Sequence, residues 1–257
     1  MANRYAEKIF ALARAYRDAE AEVVSAFFSR RRSRREHLRW LKAQAYKEYS
    51  AIRPIFTAVA SLYPEVGRGI DRGEFQELTE KLADETRHAR LLMDLLDEIA
   101  GARTRLTDLL WLPEDQKLAR IRGKYSRTSA ALLHGGTLRH SEVCRTDEAL
   151  ERAAIALTEG GGGALYLVCS RLGRSGVSGK IARVFREILR DETAHKDAGA
   201  RALRRLVNSR RSFQRAADIV RAISSQRLRM RNEQFGFPLS PRRIAELDRR
   251  ARQACEL

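Results

Sequence analysis

One five-residue word occurs twice in this chain, as Asp84-Glu85-Thr86-Arg87-His88 and as Asp191-Glu192-Thr193-Ala194-His195, and each copy lies inside an apolar helical file. Leu78, Leu82, Glu85, Ala89, Leu92 and Leu96 keep the three- and four-residue steps of one helix face, as do Ile181, Val184, Phe185, Ile188, Glu192, His195 and Gly199. A carboxylate on such a file is expensive to bury unless it is paired or bound to a metal. A Glu and a His three apart share a helix face, so both can reach a single ion. Carboxylate plus imidazole suits iron or manganese, whereas four sulfurs would have pointed to zinc.

The repeat extends upstream. Glu48 precedes Glu85 by 37 residues and Glu159 precedes Glu192 by 33, and both sit on apolar files of their own. These files are Leu41, Ala45, Glu48, Ile52 and Ile155, Glu159, Gly162, Tyr166. Two antiparallel helix pairs therefore predict a six-ligand set: Glu48, Glu85, His88, Glu159, Glu192 and His195. Asp84 and Asp191 read either as surface residues or as carboxylates that orient the ligating imidazoles. A ligating His usually donates its second ring N–H to such a group. A crossed pairing, Asp84 with His195 and Asp191 with His88, would serve this purpose, and Arg87 is expected to pair with an acid near the site.

Glycine and proline are clustered and β-branched runs scarce, so the expected class is all-α. Residues 1–32 form an amphipathic helix, 33–208 a four-helix bundle with a crossover insertion at about 101–146, and 209–257 a helical extension. Within the bundle, helices are expected at about 33–62, 73–100, 146–172 and 180–208, with a shorter one from Pro113 and a kink ahead of Pro54. Gly160, Gly161, Gly162 and Gly163 interrupt the third of these. If helical, four glycines cost a few kcal/mol relative to alanine. They mark either a helix break with close packing, or a cavity or π-bulge beside the ligands. His37, His134 and His140 read as surface or loop residues.

The net charge is +17, from 50 Lys and Arg against 33 Asp and Glu, and Arg30-Arg31-Arg32-Ser33-Arg34-Arg35 is its densest run. Such a field attracts acidic partners: an electron-transfer protein, a carrier protein, a phosphorylated thioester or, less favoured, nucleic acid. Cys144, Cys169 and Cys255 form no CxxC pair, which argues for a reducing compartment and against a sulfur-ligated metal centre. Residues 1–30 carry acids and lack a continuous apolar region, so no signal peptide is expected. No uninterrupted apolar run approaches the roughly 20 residues of a membrane span. The expectation is a cytoplasmic protein without membrane insertion.

The doubled Asp-Glu-x-x-His with its upstream glutamates resembles the ferritin-like di-iron carboxylate superfamily over about residues 33–208. Within it the doubled motif resembles the oxygen-activating branch, the bacterial multicomponent monooxygenases and the acyl-carrier-protein desaturases, without singling out a subfamily. The resemblance implies a ferritin-like four-helix bundle holding two iron ions, with Mn/Fe as the alternative pair. It also implies dioxygen as co-substrate, a small organic substrate, free or linked to a carrier or coenzyme A, and an external electron donor, ferredoxin or reductase. A homodimer is compatible with it. Monooxygenases of this type tend to carry Thr one turn after the third-helix Glu, where this chain has Gly163. Radical-generating ribonucleotide reductase subunits hold a Tyr where this chain has Leu92, which disfavours that chemistry. Tyr166, on the ligand face, is the other candidate near the reacting centre, its alternative being an ordinary core tyrosine. The expected activity is that of an oxygen-dependent di-iron oxidase or oxygenase. The rival expectations are a ferroxidase, peroxidase or metal-storage protein of the same fold, and an RNA-associated or tRNA-modifying protein.

Overall fold

The computed structural model describes residues 3–63, 72–133, 142–159 and 162–255, and among them the regular structure is helical with no strand. In chain order the helices are α1 (Arg4–Phe28), α2 (Arg34–Leu62), α3 (Arg72–Ala100), α4 (Pro113–Leu133), α5 (Glu142–Glu159), α6 (Gly162–Ser170), α7 (Gly176–Leu206), α8 (Arg210–Gln234) and α9 (Pro241–Gln253). The expected helix over 146–172 corresponds to α5 and α6, with Gly160 and Gly161 between them outside the described residues. Pro54 lies inside α2, which continues through it.

Local chemistry explains the boundaries. Ser33 opens α2 with a reciprocal capping box to Glu36, and Ser240 with Pro241 opens α9. Gly101, with φ of 65°, closes α3, its N–H donating to the Asp97 carbonyl at 2.8 Å. Two of the five arginines of the run act at this point. Arg32 pairs with Glu36 at 3.0 Å, and the Arg34 guanidinium donates to the Ala100 carbonyl, sealing the end of α3.

The chain divides into two compact units. The first comprises residues 1–31, 112–172 and 185–257. Its core draws on Ile9, Leu12 and Tyr16 of α1, Leu150 of α5, Leu203 of α7 and Ile223 of α8, all almost fully buried. Here α1 packs on α8, α6 and α9, making the N-terminal helix a central member of this unit. The start of α4 is fastened to α8: the Glu114 N–H donates to Glu233 at 2.8 Å, and Gln226 donates back to the Glu114 carboxylate at 2.7 Å.

The second unit comprises residues 32–111 and 173–184, and its main element is the α2–α3 hairpin. Trp40, Leu41, Ala45, Leu92 and Leu96 are fully buried in it. His37, expected at the surface, is buried as well, at 5% exposed. It sits one turn before Trp40 and accepts that indole's N–H at 3.4 Å. Burial holds its imidazole below the ordinary histidine range.

The stretch Ala149–Ser170 has the length and composition of a membrane span, and its most apolar 18-residue window is 64% buried inside the protein, as core helices are.

Candidate metal centre

Glu48, Glu85 and His88 come together in the second unit, their ligand atoms all within 4.8 Å of one another. The hairpin positions them as the sequence files predict, Glu48 from α2 and the Glu-x-x-His pair from one face of α3. Glu48 is 5% exposed, His88 1% and Glu85 half-buried. Among the described residues, Glu48 is the last buried residue of α2 and His88 the first of α3. The cluster therefore stands where the buried part of the hairpin ends, one to two turns from the buried Leu41, Ala45, Ala89 and Leu92 along the two helices.

Such a place fits a cation. Two carboxylates in a poorly hydrated site attract a dication far more strongly than in water, and a neutral imidazole completes a set suited to iron or manganese. Metal–ligand bonds of about 2.0–2.2 Å require ligand atoms within about 4.4 Å of each other, close to the 4.8 Å limit within which these atoms lie.

Two neighbours shape the donor set. Gln44, one turn before Glu48 and 1% exposed, donates its amide N–H to Glu48 Oε1 at 2.5 Å. Sequence reading passed over Gln44, although a polar residue among Leu41, Ala43 and Ala45 was a usable signal. Arg87 pairs with Asp84 at 2.6 Å across one turn of α3. The acid expected beside Arg87 is thus Asp84, the residue also cast as an orienter of His195.

The second motif lies in the first unit. Glu192 and Asp191 on α7 are half-buried. The side chains of His195, and of Glu159 at the end of α5, lie outside the described residues, as do His134 and His140. Gly199 of α7 abuts α5 closely enough that a Cβ on it would stand 3.1 Å from the Ala156 Cβ. His195 and Glu159 are each within about one helical turn of that contact. Gly163 is buried at the start of α6. Tyr166 is 6% exposed with its ring 5.9 Å from that of Phe185, in the setting of a core aromatic.

No protein-family model, no curated protein and no solved structure matches this chain.

Proposed function

We propose that this protein is a di-iron oxidase or oxygenase acting on a small organic substrate. Glu48, Glu85 and His88 are assigned as ligands of one ion, and Glu159, Glu192 and His195 as ligands of the other. The observation that carries the reading is the convergence of Glu48, Glu85 and His88 at the buried end of the hairpin. The same residue types recur at the same helical offsets in the second motif.

Bound iron would supply the reduction of dioxygen, which side chains alone do not perform. The chain's own residues prepare for it. The glutamates neutralise the cation, the Gln44 amide restrains one oxygen of Glu48, and Leu41, Ala45 and Leu92 keep water from the inner side. Electrons would come from a separate donor, because the sequence carries no flavin or nucleotide fingerprint. The positive surface suits an acidic donor or carrier.

Iron analysis with an optical spectrum after anaerobic Fe(II) loading tests the proposal. Two irons per chain are expected, and fewer than one would overturn it. Glu85→Ala with Glu192→Ala is expected to abolish loading while helix content stays near that of the parent protein.

A further inference from the structure

Helix α2 carries two distinct files. On one, His37, Leu41, Gln44 and Glu48 are buried. On the other, at the same three- and four-residue steps, Arg35, Arg39, Lys42, Tyr46, Tyr49 and Arg53 are all exposed or half-buried. From Arg35 to Arg53 this outer file runs about 27 Å along the helix. No acid stands on it. The two acids of the same stretch are engaged elsewhere: Glu36 with Ser33 and Arg32, and Glu48 in the buried file beside Gln44.

Helix stability does not account for the outer file. Arg35 and Arg39 stand four apart and Arg39 and Lys42 three apart, and like charges at those offsets weaken a helix. Arg35 also lies in the first turn of α2, where the helix dipole disfavours a cation. Tyr49, 44% exposed, gains little from burial.

Trp111 joins the aromatic part of this face. The Leu110 N–H donates to the Lys42 carbonyl at 3.4 Å, which lays the segment against α2. The Trp111 ring stacks on Tyr46 with centroids 5.6 Å apart and planes at 25°, and the residue stays 49% exposed. Open aromatic surface and positive charge are thus presented together. A phosphate chain with unstacked bases matches both, since cations track the phosphates while base faces stack on the rings. An acidic protein surface would use the cations alone, and a duplex keeps its base faces covered.

We propose that this face of α2, with Trp111, binds single-stranded nucleic acid. Arg35, Arg39, Lys42 and Arg53 take phosphates, and Tyr46, Tyr49 and Trp111 take bases. Phosphates and base faces are common to RNA and DNA, so the face does not discriminate between the sugars. The proposal stands independently of the metal reading.

The test is fluorescence anisotropy of the full chain with labelled oligouridylate and oligothymidylate of about 20 nucleotides at low salt. Both are expected to bind, and a duplex of the same length at least fivefold more weakly. Trp111→Ala and Tyr49→Ala are each expected to weaken binding at least fivefold with circular dichroism unchanged. Tyr49→Ala, at an exposed helical position, decides the matter should Trp111→Ala not fold. Arg35→Gln with Arg53→Gln is expected to weaken binding at least tenfold and to flatten the slope of log affinity against log salt by about 1.4. Arg242→Gln with Arg249→Gln, which removes the same charge from exposed positions of α9, is expected to stay within twofold of the parent. Absence of binding at low salt would overturn the proposal, as would equal losses in the α2 and α9 variants. So would parental affinity in the folded aromatic variants, or displacement of the oligonucleotide by polyglutamate as readily as by unlabelled strand.

Discussion

Gln44 and Glu48 lie one turn apart on α2, both buried, and the amide of the first donates to the carboxylate of the second at 2.5 Å. The corresponding position before Glu159 is Ile155, which has no donor to give. On the proposed ligand assignment, Glu48 would meet a cation with one oxygen already engaged, and the two halves of the set would be chemically unequal.

Gln44→Leu tests this inequality. It preserves side-chain volume but removes a hydrogen bond to a buried acid, so the metal-free protein is expected to lose about 1–3 kcal/mol in urea unfolding. Iron at the Glu48 position is expected to change affinity while iron at the other does not. Equal shifts at both would contradict the inequality.

Gly199 is the second point of leverage. Alanine there gains roughly 1 kcal/mol of helix propensity, offset by a Cβ standing 3.1 Å from Ala156, so Gly199→Ala is expected to be near neutral. Gly199→Val adds bulk that this contact does not accommodate and is expected to cost about 1–3 kcal/mol. Thermal unfolding of the two variants side by side reads the difference.

His37 gives the protein an acid-sensitive stability. Burial lowers its folded pKa, chiefly by desolvation, with Arg32 adding to the effect and Glu36 opposing it. A group whose folded pKa is depressed binds protons more readily when the chain is unfolded. Its contribution is therefore intact above the ordinary histidine value of about 6.5 and declines as pH falls below it. Urea midpoints at pH 7.5 and pH 5 are expected to diverge in the parent protein and to converge in His37→Gln.

Asp248 predicts a second, more acidic limb. Burial would raise its pKa, but hydrogen bonds from Tyr16, Ser225 and Arg252 and the charge of Arg252 outweigh it and hold the carboxyl low. Its stabilisation is complete above the unfolded aspartate value of about 3.9 and is lost as pH falls through the lower folded value. Asp248→Asn is expected to unfold at a lower urea concentration than the parent at pH 6, and the gap is expected to narrow near pH 2.5.

The helical class and most helix ends were legible because periodicity and capping residues are local: Ser33 with Glu36, Gly101, Pro113 and Ser240 each announce a boundary. Glu48, Glu85 and His88 were legible for a related reason, since a charged residue in an apolar file has to be explained by something. The same signal marked Glu20, between Tyr16 and Val23, and Arg227 and Arg231 among Ile223, Leu228 and Met230. There the explanation is a partner on another helix 207 residues away, and no local pattern names it. The packing of α1 on α8 stayed hidden likewise, because an amphipathic face states that it is covered and not by what.

That separation has a consequence during synthesis. Glu20 is made 207 residues before Arg227, and at about 5–20 residues per second the ribosome needs roughly 10–40 s to close the gap. Throughout that interval Ile9, Leu12, Tyr16 and Phe27 of α1 lack the helix they pack on most extensively, which is still untranslated. Truncation before α8 is therefore expected to leave the apolar face of α1 without its main cover, which binding of a hydrophobic dye to the shortened chain would report.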